Sequence, residues 1–393
     1  GHMGVGNADS THTDMLASHE LVRTGEIDAL ILGHTHRRFP SIDYTTRKDV
    51  DIKSGTVGGV PTLMPGHAGS DLGVMDLTLD HDRTRGWTVR DHHCSLRPNG
   101  ADTLPDAEIA AFAKQSHEHV RTKLTEKVAT APTPLHSYFS LVSPAPTQRL
   151  NALAQHRQVS EALRDSALAH LPILSSSAAH GAGGRDGPSN FVHIPEGPVM
   201  RRHIAGLNPF ANQTVGIRIT GSQIRNWLEH AALLFTRLSA QKTPQMLVDP
   251  NVPAFQFDTI FGLHYVIDPS APPYQRISQL EYNGVPITAD QPFILATNQF
   301  RATGGGGYPS TPLSEIVCRI EAPLQDAMID VLNRSEPAPW EITPPWRFAP
   351  LGGIEATILT HPEALASISD IKHLQPKLLS TTPEGFIRLS ITL

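Results

Sequence analysis

Apolar residues along this chain fall into short blocks whose periods predict alternating helices and strands. Ile27-Asp28-Ala29-Leu30-Ile31-Leu32 is a compact apolar run that stops at Gly33, the mark of a buried strand. A short helix is expected just before it, over residues 17–24. The stretch Asp71 to Leu79 alternates like a half-exposed strand, turns at His81 to Gly86, and meets a partner at Trp87-Thr88-Val89-Arg90. Residues 103–128 read as a helix. Thr103 is its cap, Pro105 lies in its first turn, and Asp106 and Glu108 sit at its positive end. Ile109, Phe112, Ala113, Ser116, Val120 and Leu124 share one of its faces. Prolines 132 and 134 then mark a connector between two domains.

Beyond the connector, a helix is predicted over about 147–169 and a strand at Leu171-Pro172-Ile173-Leu174. An alternating strand follows at Thr214 to Ile219. Ser222 is the expected cap of the next helix, with Ile224, Trp227, Leu228, Ala231 and Phe235 as its core face. Short strands are expected around 255–267 and 277–282 and at Phe293 to Ala296. The tail from about Ile316 mixes helix and strand signals among prolines. There is no internal repeat.

The strand at Pro292-Phe293-Ile294-Leu295-Ala296 runs into Thr297-Asn298-Gln299-Phe300-Arg301-Ala302-Thr303, four glycines (Gly304 to Gly307) and Tyr308-Pro309. Glycines admit positive φ and close approach of a ligand to the backbone. An aromatic ring above such a loop suits stacking against a base. The plain alternative is a core Phe at a strand-to-turn junction. At the other end of the chain, Gly33-His34-Thr35-His36 places two imidazoles at the end of a predicted strand, as ligands for zinc, manganese or iron or as two polar residues of an exposed turn. Asp91-His92-His93-Cys94 is a poorer metal cluster, because neighbours on a strand point to opposite faces.

Composition narrows the picture. The chain has 393 residues, 39% hydrophobic and 18% charged, with 33 prolines and 30 glycines. That suits two loop-rich domains. A net charge of -6 argues against a non-specific nucleic-acid binder. The two cysteines, Cys94 and Cys318, form no spacing motif, and no stretch reaches membrane-spanning length. Gly1-His2-Met3 reads as the remainder of a cleaved purification tag, which removes His2 from any metal argument.

Several motifs in order resemble one family. The apolar run into Gly33-His34-Thr35-His36, followed by Gly59-Val60-Pro61, Gly66, Gly69 and Gly73, is similar to the closing part of a metallophosphoesterase domain. Later stretches resemble the substrate-specificity domain of 5′-nucleotidase-type enzymes. These are Ile194 to Pro198, Val215 to Glu229, Phe257-Asp258 through Gly262 and Tyr265, and Ala296 to Pro309. Phe39-Pro40, Trp346 to Pro350 and Gly385-Phe386-Ile387 favour the branch of 2′,3′-cyclic-nucleotide 2′-phosphodiesterases/3′-nucleotidases.

The resemblance implies an α/β remnant of a metallophosphoesterase sandwich over residues 4–100. A long connector helix and linker over 101–131 would join it to an α+β domain over 132–393. It gives His34 to one ion and His36 to the other in a two-metal centre of zinc, manganese or cobalt type. Phe300 would stack on the base, with Phe210 on its other face or Phe257 in its place. Arg185 and Asn212 would contact the nucleoside or its phosphate, with Arg202 as a companion. Nucleotides and nucleosides are the implied partners, and a bacterial periplasm or cell surface the implied location. Gly306 stands where 5′-nucleotidases usually place an Asp on the ribose hydroxyls. The family's Asp-x-His, Gly-Asp-x-x-Asp and Gly-Asn-His motifs do not precede Gly33. The chain is therefore expected to be the C-terminal part of a larger enzyme and to lack catalytic residues of its own. A 5′-nucleotidase, a nucleotide-sugar hydrolase, or a module that binds nucleoside without turnover are the alternatives.

Overall fold

The computed structural model describes residues 1–6, 18–84, 86–100, 102–184, 187–210, 212–240, 244–249, 252–334 and 344–393. The chain packs as two units, Gly1–Lys114 and Gln115–Leu393.

In the first unit, α1 (Ser18–Arg23) precedes a small sheet. Its strands are β1 (Leu30–Ile31), β2 (Arg38–Phe39), β3 (Val50–Asp51), β4 (Thr56–Val57) and β5 (Val60–Pro65), in the order β1-β5-β4-β3 with β2 also on β5. Only two residues of the predicted apolar strand are in register, Leu30 and Ile31 running parallel to Thr62 and Leu63. The run is covered on one face: Leu30 and Leu32 join Val5, Phe39, Tyr44, Val57 and Met64 in the core, and Ile31 is exposed. A long ribbon of β6 (Asp71–Asp82) and β7 (Gly86–Pro98) follows. The helix α2 (Ala107–Leu124) is shorter than predicted and starts later. Asp106, not Thr103, caps it, its Oδ1 accepting from the N–H groups of Glu108 and Ile109 at 3.0 Å. Its apolar row meets no core: Ile109, Phe112 and Val120 are exposed.

The division between the units falls inside α2. The stretch read as the end of a connector is β8 (Lys127–Ala131), which pairs with β12 (Gly197–Met200) within the second unit. The β9 (Leu135–His136) and β11 (His193–Ile194) ribbon lies in that unit too. The helix α3 (Pro146–Leu163) stops before its predicted end. Ser166 turns the chain back, its hydroxyl donating to Leu163 O at 2.9 Å, a local bond that competes with helix propagation.

The central sheet of the second unit has five strands. In spatial order they are β14 (Asp258–Phe261), β10 (Ile173–Ala178), β18 (Pro292–Asn298), β13 (Thr214–Thr220) and β19 (Ile316–Ile320). Only the β10–β18 pair is parallel. The contact of α3 with β10 is polar. Asn151 donates to Ser177 Oγ at 3.0 Å, and Gln155 donates to Ser176 O at 2.6 Å and Ser175 Oγ at 3.4 Å. Ser176 Oγ instead reaches Thr297 Oγ1 on β18 at 2.8 Å.

The helix α5 (Gly221–Ala231) begins two residues earlier than expected. Thr220, rather than Ser222, forms a capping box with Gln223. Ile224, Trp227, Leu228 and Ala231 are buried in the main core as predicted. Around this centre lie α4 (Arg201–Leu207), α6 (Gln299–Ala302), α7 (Leu324–Arg334) and two further sheets. One is β17 (Val285–Pro286), β16 (Ile277–Tyr282), β15 (His264–Ile267) and β20 (Trp346–Phe348). The other is β21 (Glu355–Thr360), β23 (Ile387–Thr392) and β22 (Lys377–Thr381). The second unit is thus a mixed α and β domain built on one central sheet.

Candidate functional site

Strand directions bring the chemistry to one edge of the five-stranded sheet. Because β10 and β18 are parallel, both end there; β13 and β14 run the other way and begin there. Thr214 faces Asn298, and Asp258 faces Ala178. The loops after β10 and β18 and before β13 and β14 therefore share this edge, and they contain His180, Phe300, Phe210 and Gln256. A backbone bond from Gln299 N to Gln213 O at 2.8 Å joins two of them.

The apolar interior of β18 (Phe293 to Ala296) is fully buried, so its end is a fixed point. Asn298 caps α6 there, its Oδ1 accepting from Arg301 N at 2.9 Å. That single turn sends two neighbours in opposite directions: Phe300 is 38% exposed, and the Arg301 side chain 2%. The Arg301 guanidinium meets Asp258 through Nη2–Oδ1 at 3.0 Å and Nε–Oδ2 at 3.1 Å. It also donates to Gly305 O at 3.1 Å and to Phe255 O. Trp227 Nε1 donates to Asp258 Oδ2 at 3.0 Å. Burial is the largest single influence and opposes the guanidinium charge, but Asp258 and Tyr308 together outweigh it, so Arg301 is held above its usual pKa. Tyr308 packs on the guanidinium at 4.4 Å and is pushed well above the usual phenol range, by burial first and then by Asp258.

The glycine loop is tied down from inside. Gly306 O accepts from His230 Nε2 at 2.9 Å and Gln256 Nε2 at 3.4 Å, and Tyr308 Oη donates to Gln256 O at 2.6 Å. Two glycines are needed for close approach. A Cβ on Gly305 would lie 2.4 Å from the Phe300 ring, and one on Gly306, at φ 75°, would lie 2.5 Å from Arg301 Nη1.

Phe210 is 57% exposed, and its ring lies 6.0 Å from His180. Burial, and then the Arg301 charge, push His180 down to about 4, so its imidazole is neutral at pH 7. Asn212, half-buried, lies two residues before β13. Phe257 does not fit the role of a second stacking ring. It is 1% exposed and is enclosed edge-on by Phe235 at 5.2 Å and Trp346 at 5.5 Å, so neither face is open. Arg185 lies outside the described residues. Arg202 is exposed on α4, which packs on β12 and α7 rather than on the sheet edge.

The histidine pair lies in the first unit. His34 and His36 both adopt positive φ, 67° and 58°. His36 stacks on His67 at 4.6 Å, and His34 meets the edge of His2 at 4.8 Å. Among the described residues, no three His, Cys, Asp or Glu side chains converge to hold a metal ion. This donor set does not fit a two-metal centre, which needs three or four ligands per ion. His92 is engaged elsewhere, its Nε2 bonding to Ser54 O at 2.8 Å.

Sequence reasoning missed His180 and the Asp258–Arg301 pair. A signal for the pair was present: Asp258 follows Phe257 and heads an apolar strand, where a carboxylate needs a partner.

Residues 146–312 match the family described as the 5′-nucleotidase C-terminal domain. This segment is similar to a 5′-nucleotidase C-terminal domain. It contains every residue of the sheet edge, from His180 to Tyr308. A trifunctional nucleotide phosphoesterase of Bacillus subtilis is 29% identical over 87% of this chain and 25% of its own length. A 2′,3′-cyclic-nucleotide 2′-phosphodiesterase/3′-nucleotidase of Yersinia enterocolitica is 32% identical over 71% of this chain and 46% of its own length. The chain thus spans half or less of these two curated relatives. A structure assigned as a 5′-nucleotidase of Staphylococcus aureus superposes with a TM-score of 0.61 at 20% identity, over 88% of this chain and 62% of that one. At that identity the likeness concerns the fold. The sheet edge thus lies in the segment that matches the family, in a chain whose fold recurs in that structure.

Proposed function

We propose that the segment of this chain similar to a 5′-nucleotidase C-terminal domain binds the nucleoside part of a nucleotide at the sheet edge. Phe300 and Phe210 supply ring faces for the base, and Asn212 and Arg185 supply polar contacts. The observation that carries the reading is the convergence of the Phe300 and Phe210 loops on one edge, beside a neutral His180 and an internally anchored glycine loop. Ring stacking tolerates every base, which suits a nucleotide-processing family.

For the whole protein, the proposal is metal-dependent hydrolysis of 2′,3′-cyclic nucleotides and 3′-nucleotides to nucleosides and phosphate. Gly306 favours this over 5′-nucleotidase action, because no carboxylate at that place opposes a phosphate on the ribose. Two divalent ions of zinc, manganese or cobalt type belong to the proposal, with His34 and His36 as one donor each. Those two histidines do not complete a centre, so the chain by itself is expected to bind without turnover. Export to the periplasm or cell surface is part of the same reading. Among the described residues, no helix is long and apolar enough to cross a membrane.

The test is calorimetric titration of the chain with 3′-AMP and with 5′-AMP in the presence of a chelator, repeated with Phe300→Ala. Binding of 3′-AMP that is lost in the variant supports the reading. Absence of binding by the unaltered chain, or full binding by the variant, refutes the base platform. Tighter binding of 5′-AMP than of 3′-AMP would favour the 5′-nucleotidase alternative.

A further inference from the structure

Phe300 stands on a single helical turn, and one turn does not hold itself in water. Its neighbour is anchored far more firmly. Building on the nucleoside-binding reading above, we propose that Arg301 is a positioning residue for nucleoside recognition. Clamped by Asp258 beneath the sheet edge, it sets the attitude of the Phe300 ring and the shape of the glycine loop without itself touching the nucleoside.

The guanidinium spends its donors in three directions. It meets Asp258 at the start of β14, Gly305 O in the glycine loop, and Phe255 O in the turn before β14. It therefore ties the loop after β18 to the segment entering β14. Its flat face packs on Tyr308 at 4.4 Å, and the Phe300 ring centroid lies 5.6 Å from its central carbon. Phe300 in turn lies against Gly305, the residue whose carbonyl Arg301 holds. Ring, loop and guanidinium are thus one packed assembly.

Stability alone is a weak reason for such a pair. Both side chains are almost wholly buried. Buried ion pairs are often replaceable by apolar residues of similar volume without loss of stability. What an apolar replacement cannot supply is the planar fork that holds a carboxylate and two carbonyls in a fixed relation.

Arg301→Lys keeps the charge and loses the fork and the flat face. The double variant Asp258→Leu/Arg301→Met removes both charges and fills the space. Each is compared with the unaltered chain in adenosine titrations by calorimetry, in circular-dichroism melts, and in NMR spectra of the adenine H2 and H8 protons. A ring stacked on the base shifts those protons upfield. Both variants are expected to stay folded, to bind adenosine about tenfold more weakly or worse, and to lose the upfield shift. The shift reports ring attitude, which a purely structural role would leave in place in a folded variant. A folded variant with unaltered affinity and shift overturns the proposal. So does loss of cooperative melting in both, which would make the pair a stabilising element rather than a positioning one. If the unaltered chain itself binds no adenosine, the nucleoside reading falls and takes this inference with it.

Discussion

His180 offers a quantitative test of the sheet edge. Its folded pKa is about 4 against an ordinary value of 6.5, with burial the first cause. His156 on α3 has the same shift from burial, to about 4. A histidine depressed in the folded state leaves stability intact above pH 6.5. As pH falls below that, the unfolded chain takes up a proton that the folded chain refuses, and stability is lost until the folded pKa is reached near 4. The gap of about 2.5 units at roughly 1.36 kcal/mol each gives about 3 kcal/mol per histidine over that window. Other buried histidines, such as His19 and His136, shift the same way, so the total slope is not diagnostic. The difference between variants is. Urea denaturation of the unaltered chain, His180→Gln and His156→Gln is compared at pH 7.5 and pH 4.5. Each variant should lose about 2.5 kcal/mol less than the parent between these two pH values, since pH 4.5 stops short of the folded pKa. Only His180→Gln should also change adenosine affinity, since the His180 ring is the one that lies beside Phe210, 6.0 Å between centroids. A parent and a His180→Gln variant with equal acid sensitivity would refute the claim that His180 is held neutral by its surroundings.

Phe210→Ala removes a largely exposed ring and should leave stability within about 0.5 kcal/mol. It should weaken nucleoside binding by about 1–3 kcal/mol, read by calorimetry. Phe257→Ala should do the reverse, lowering the urea-derived stability by about 3–5 kcal/mol because its ring fills the core. Gly305→Ala places a methyl group 2.4 Å from the Phe300 ring and should cost about 1–3 kcal/mol in a thermal melt while moving that ring off its site.

Much of the sheet edge was legible because its parts are local. Phe300 before four glycines announces an exposed ring at a strand end, and the apolar spacing of Ile224, Trp227, Leu228 and Ala231 announces a buried helix face. The failures are of three physical kinds. Phe257 and Phe210 are the same residue type in similarly mixed surroundings, and only packing against Phe235 and Trp346 decides that one is core. Arg301 and Asp258 meet across 43 residues of sequence, a separation that no local period encodes. Thr220 and Ser222 are both good caps two residues apart, and Gln223 settles the choice by reaching back to Thr220. The α2 face shows the opposite error: a row of apolar side chains was visible, and nothing in a period says whether a partner surface will meet it.

The polar seam between α3 and β10 has a consequence for the sheet edge. Four residues of helix advance about 6 Å, and two residues of strand advance about 6.7 Å. Asn151 and Gln155 thus match Ser177 and Ser175 like marks on a vernier. An oily contact would let the helix creep along the strand. This one indexes it residue by residue, and through Gln148, which bonds to Thr259 on β14, it indexes the strand that bears Asp258 as well. The frame from which the edge loops hang thus keeps one alignment.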